Sequence, residues 1–175
     1  MTTTKEALQR FEETAAYYMQ ELDQFSLEQL KQKPSDNEWS IGEMVQHLIN
    51  SALSMHLGNI DQCLMPSQDS VPTPAEKTED GAAVFAQGSF PPIRIQVPPS
   101  AQYTPKQPES KEQLIQGLHT VVQRMREIEP ALEKASKHNT VSHPRFGELC
   151  AEEWFLLVEM HYRHHLCAKC VQAIG

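Results

Sequence analysis

The sequence predicts an all-α protein built as a four-helix bundle, and three observations carry that reading. Apolar residues recur at helical spacing along four long stretches. Several of those stretches open on Ser or Thr with Glu or Gln three residues later, the spacing of a capping box. No stretch has convincing strand character, which leaves helix-on-helix packing as the way to bury a core. At 175 residues, 39% hydrophobic and 22% charged, the chain reads as a single domain, residues 1–175, large enough to form one.

The first helix is predicted to start at Thr3, with Glu6 in capping-box relation, and to run to about Asp23. Ala7, Leu8, Phe11, Ala15, Tyr18 and Leu22 form its core stripe. Ser26 and Gln29 cap a short connector that Pro34 ends. The second helix opens at Ser40 with Glu43, presents Ile41, Met44, Val45, Leu48, Ala52 and Met55, and is expected to continue to about Leu64. From Met65 to Glu109 the composition changes: nine of the twelve prolines fall here, and no helical period is sustained. A connection of this length, centred on residues 66–109, lets its flanking helices run parallel instead of antiparallel. It is also long enough to cover one end of the bundle, and FPPIRIQVPP is the part expected to lie extended against the body. The third helix opens at Ser110 with Gln113 and carries Leu114, Leu118, Val121, Val122, Met125 and Ile128; Pro130 is expected to kink or divide it, with ALEKASKH as a continuation. Pro144 and Gly147 then mark a turn, and the last helix begins near Cys150.

Charge narrows the function. The net charge is −8 and the 15 Lys and Arg residues are scattered, so no surface tracks a phosphate backbone and nucleic acid is not an expected partner. MTTTKEALQRFEE has no apolar core of signal-peptide type, and no stretch nears the roughly 18 apolar residues of a membrane span, so the expected location is cytoplasmic with no membrane partner. The four cysteines, at 63, 150, 167 and 170, are too sparse for a disulfide scaffold and are expected to be reduced. Cys167 and Cys170 form a C-x-x-C near a helix end, not at a helix start where the dipole would activate a thiol, and are read as filler residues.

The chemistry-bearing residues are the histidines. In EEWFLLVEMHYRHHLCAKCVQAIG, His161 and His165 lie about 40° apart on the arc shared by Trp154, Val158 and Ala168, and two imidazoles a turn apart can aim at one metal ion. His164 is about 60° round from His161 on the far side, toward a neighbouring helix, the bundle rim or a dimer partner. The second helix offers His47, at the edge of its apolar face, and His56, nearer the centre; helical angle does not choose between them. His119 and His138 are read as ordinary surface or core side chains. A triad of His161, His165 and one histidine from the second helix would bind a divalent metal and leave a position open for water or substrate.

Two segments, W39-S40-x-x-E-x-x-x-H47-L48 and H143-P-R-F-G-x-L-x-x-E-E-W154 followed by H161-x-x-H-H165-L, resemble the DinB/YfiT-like superfamily, and in particular branches with an H-P-x-F-G turn before the last helix. The resemblance implies a four-helix bundle in up-down-down-up topology, with His47, His161 and His165 as the metal ligands. The chain departs from that branch at Cys167, Ala168 and Lys169, where Gln-Ile or Gln-Phe is usual, and at Cys150, where Thr or Ser is common; these positions lie outside the triad.

Such a site lowers the pKa of a bound water or thiol. Similar proteins include metal-dependent hydrolases and thiol S-transferases, so the expected function is an enzyme of one of these types acting on a small molecule, with a low-molecular-weight thiol as a co-substrate class. Zinc or nickel suits imidazole ligands best, and iron and manganese are the further options. Glu43, one turn before His47, is a candidate to orient it or move protons, although its capping position already explains it. His143 is placed to hydrogen-bond a ligand-bearing helix. The competing readings are a non-catalytic metal- or ligand-binding stress-response module, and a homodimer whose histidines only stabilise the core.

Overall fold

The computed structural model describes residues 2–65, 76–92 and 104–172, with the side chains of the last helix described as far as Leu166. Helix α1, Thr4–Gln24, is capped by Thr3 and Glu6 reciprocally and buries Ala7, Phe11, Ala15, Tyr18 and Leu22. A five-residue helix α2, Leu27–Lys31, closed by the Ser26/Gln29 box, drops Leu30 into the core. The long second helix is made of α3, Ile41–Asn50, a π-helical turn, Ser51–His56, and α4, Leu57–Leu64. Helix α5, Glu79–Gln87, lies in the crossover. Helix α6, Lys111–Leu132, a hairpin of β1, Thr140–His143, with β2, Gly147–Cys150, and helix α7, Ala151–Gln172, complete the order.

Pairwise contacts fix the direction of each bundle helix. Thr4 at the start of α1 donates to Glu129 near the end of α6, and Lys111 at the start of α6 donates to the carbonyl of Asp23, so α1 and α6 are antiparallel. Ile49 packs on Gly117, and further along the same two elements Arg124 makes a bidentate bond to Asp61, so the second helix and α6 run parallel. His47 meets His165, His56 meets Trp154 and Cys63 meets Leu149, so the second helix is antiparallel to α7. Helices α1 and α7 are therefore parallel, and the bundle is up-down-down-up as expected. The long crossover makes this possible, since a short turn would force the second helix and α6 to be antiparallel. The core is centred on Trp154, Tyr162, Phe11, Tyr18 and Phe155, with the Tyr18 hydroxyl donating to the Tyr162 carbonyl at 2.9 Å.

Four local expectations need correction. HNTVSHPRFGELC is not purely a turn: Thr140 to His143 pair antiparallel with Gly147 to Cys150, in the register Thr140 with Cys150. The crossover contains α5, capped by Thr78 at its start and by left-handed Gly88 at its end. Pro130 does not divide α6, which passes through it and stops two residues later at Leu132, so only Ala131 and Leu132 of ALEKASKH continue the helix. Here proline stands in the final turn, so little of the helix lies beyond the amide bond that it removes. The second helix is not uniformly α-helical, because Ser51–His56 form a π-helical turn. Most of FPPIRIQVPP lies outside the described residues.

Hairpin and crossover hold each other. Thr78 N–H donates to the Phe146 carbonyl, Glu148 N–H donates to the Glu76 carbonyl, and the Thr78 hydroxyl donates to the Arg145 carbonyl at 2.7 Å. Gly147, at φ 78°, allows this close approach: a Cβ there would sit 2.7 Å from the Glu76 carbonyl oxygen. The H-P-R-F-G turn is thus the surface on which the crossover docks.

Candidate metal centre

Helix α3 carries His47 to the inside of the bundle opposite α7, which brings His161 and His165 in from one turn apart. One nitrogen from each ring lies within 4.8 Å of those of the other two, and His47 Nε2 is 3.1 Å from His161 Nε2. The ring centroids are 5.0 Å (47 to 161), 5.4 Å (47 to 165) and 4.9 Å (161 to 165) apart. Among the described residues this is the group of His, Cys, Asp and Glu side chains able to converge on one ion.

Burial sets the charge of the site. Loss of water pushes the His47 imidazole down to about 4 and, with repulsion from His47 and His164, that of His165 to about 3; His161, the deepest, is pushed well below its ordinary value by burial and then by its histidine neighbours. All three rings are neutral at pH 7, the state in which imidazole has a lone pair to give to a metal. Trp39 lies 4.8 Å from the His47 ring, and Phe90, just past α5, faces His164 at 5.6 Å and His161 at 6.3 Å. These two aromatics come from distant parts of the chain and pack on different rings of the cluster. A groove of about 600 Å³ reaches His47 alongside Trp39, Ser51, Met55, Gln107 and Gln113, within the size range of small-molecule sites.

The remaining candidates fall into place around the triad. Glu43 is buried, accepts from the Ser40 amide at 2.8 Å and pairs with Lys33 at 3.3 Å, so its interactions are those of a helix cap. His164 is half-buried against Phe90 of the crossover, outside the converging nitrogens. His143 Nδ1 accepts the amides of Arg145 and Phe146, which fixes its turn, and its ring touches α7 through Trp154 at 5.2 Å. His119 and His138 are exposed. Cys150 stands before α7 and donates its amide to Glu153, while the side chains of Cys167 and Cys170 lie outside the described residues.

The sequence pattern of the DinB superfamily matches residues 10–167. The chain belongs to the DinB superfamily. The crystal structure of TT2238, a four-helix bundle protein, shares its fold with a TM-score of 0.58 and 20% identity, covering 98% of this chain and 99% of that one. No curated protein matches. Membership of the DinB superfamily agrees with the four-helix bundle described above.

Sequence reasoning missed two features around these histidines of the DinB-superfamily chain. Phe90 stands between the end of α5 and Pro91, and nothing in one sequence marks it as reaching α7. The π-turn at Ser51–His56 was equally invisible. In an unbroken α-helix His47 and His56 would stand about 180° apart. A π-turn advances each residue by less than the α-helical 100° or so, which turns His56 back toward the side of His47. That rotation lets both rings border His161, at 5.0 and 5.6 Å.

Proposed function

We propose that His47, His161 and His165 hold a divalent metal ion, and that the protein is a metal-dependent enzyme of hydrolase or thiol S-transferase type. The observation that carries this reading is the convergence of three neutral imidazole nitrogens within 4.8 Å of one another, one of them on His47, which lines a groove. Three imidazoles without carboxylate or thiolate favour zinc or nickel, with iron and manganese as further candidates. When bound, such an ion supplies a Lewis acid that acidifies a water or a thiol at its open position. The chain's own residues do the rest: Trp39 and Phe90 shield the rings from bulk water, Ser51 Oγ stands 3.5 Å from His47 Nδ1 to orient that ring, and the groove admits a small molecule. A low-molecular-weight thiol is the co-substrate class for the transferase form of the reaction.

Metal content of tag-free protein tests the site. One equivalent of metal in the wild type, lost in His161→Ala, is expected; metal-free protein, or uptake unaffected by that change, ends the reading. Ester, amide and thiol-plus-electrophile substrates assayed with and without chelator then separate an enzyme from a binding module, since turnover that survives chelation contradicts a metal-dependent reaction.

A further inference from the structure

His56 is the one buried histidine that the triad does not use. It lies on the π-turn with 4% of its surface exposed, and its Nδ1 is fully buried with no hydrogen-bond partner. His161 Nδ1 is in the same condition. The two rings are neighbours, with centroids 5.6 Å apart and planes at 85°. Among the rings packed on His161, the others are its fellow ligand candidates His47 and His165 and the apolar Phe90.

Tautomer chemistry gives this pair a role. His161 points Nε2 at His47 Nε2, 3.1 Å away, so Nε2 is the atom that faces the centre. Without metal, a proton on one of those nitrogens makes them a hydrogen-bonded pair. With metal, both Nε2 atoms must offer lone pairs, and the proton of each neutral ring moves to Nδ1. His47 then has Ser51 Oγ beside its Nδ1, at 3.5 Å. His161 needs an acceptor in the core, because a ligating histidine donates its second N–H to a partner that fixes its orientation. Two imidazoles joined by one N–H···N bond have centroids roughly 5.2 Å apart for a normal hydrogen-bond length. The observed 5.6 Å is close enough that ring rotation, with a shift of a few tenths of an ångström, makes the bond.

We infer that His56 is the positioning residue of the centre, accepting at Nδ1 the hydrogen bond that His161 Nδ1–H donates when Nε2 binds a metal. The inference rests on the metal reading above and adds to it a reason for the π-turn: without that rotation His56 would not border His161.

The test compares zinc affinity, by competition with a chromophoric chelator, in the wild type, His56→Phe and His56→Asn. Phe keeps the ring volume and removes the acceptor, whereas Asn leaves a void but places its amide oxygen where Nδ1 was. An acceptor role predicts about a 10- to 100-fold weaker affinity for His56→Phe, with His56→Asn recovering most of it; a packing role predicts the reverse order. Zinc-loaded protein with labelled histidines gives a second readout independent of either variant. A slowly exchanging His161 Nδ1–H with a scalar coupling to His56 Nδ1 is expected, and a His161 proton that exchanges freely and shows no such coupling overturns the inference. Equal zinc affinity in wild type and His56→Phe removes the positioning role and leaves the metal site standing. A wild type that binds no zinc, nickel, iron or manganese removes both.

Discussion

Acidifying the metal-free protein should destabilise it through His56 in particular. Burial, then repulsion from His143 and His47, pushes this imidazole from 6.5 down to about 3. The folded state therefore holds the ring neutral where the unfolded chain protonates it, so the stability is fully present above about pH 6.5 and is lost as pH falls toward 3. The whole gap corresponds to about 5 kcal/mol. Between pH 7 and pH 5 the unfolded-state histidine passes from mostly neutral to mostly charged while the folded one stays neutral, a loss of about 2 kcal/mol. His47 and His165 lean the same way, at about 4 and about 3. The assay is urea unfolding in chelator at pH 7, 6 and 5, with His56→Phe as the control. The wild type should lose about 2 kcal/mol more than the variant over that interval, at unchanged denaturant slope. Parallel pH dependences for the two proteins would refute the argument, because they would mean that the folded state lets His56 take its proton.

Other perturbations probe other levels. Adding zinc at about a thousand times its Kd should stabilise the wild type by about 4 kcal/mol, moving Tm by roughly 8–16 °C in a chain of this size, and His161→Ala should erase that shift in differential scanning fluorimetry. Gly81→Ala places a Cβ 2.3 Å from the Phe146 carbonyl oxygen, so the crossover must lift from the hairpin. That should cost about 1–3 kcal/mol and expose residues 76–92 to limited proteolysis at pH 7 before global unfolding. Tyr18→Phe removes the bond to the Tyr162 carbonyl and should cost about 1 kcal/mol in urea unfolding with metal affinity unchanged. Glu43→Gln, if Glu43 is only a cap, should weaken the fold by about 1 kcal/mol or less and leave the pH–rate profile of any metal-dependent turnover in place.

The bundle was legible because its signals are local. Thr3 with Glu6, Ser26 with Gln29, Ser40 with Glu43 and Ser110 with Gln113 each start a helix within a four-residue window, and each stripe repeats within two turns. His161 and His165 were readable for the same reason, being one turn apart on one helix. What was hidden depends on contacts between distant segments. The strands of the hairpin are four residues each and mostly half-exposed, too short and too polar for alternation to register. Helix α5 lies in a proline-free run between prolines, and its place is set by the H-P-R-F-G turn some sixty residues away. The π-turn arises where the second helix meets α7, so residues 51–56 alone give no reason to insert it.

The up-down-down-up arrangement also orders events in time. His47 and His161 are separated by 114 positions, and α7, synthesised after every other bundle helix, supplies two of the three rings. While the chain is being made, the first three bundle helices exist without their partner, and the face of the second helix that bears His47 stays open to solvent. Capture of the proposed ion by all three histidines would then wait for the last helix to dock between α1 and the second helix. Refolding followed by the absorbance of cobalt should accordingly trail the recovery of helical circular dichroism, making the metal a reporter of the final assembly step and not of helix formation.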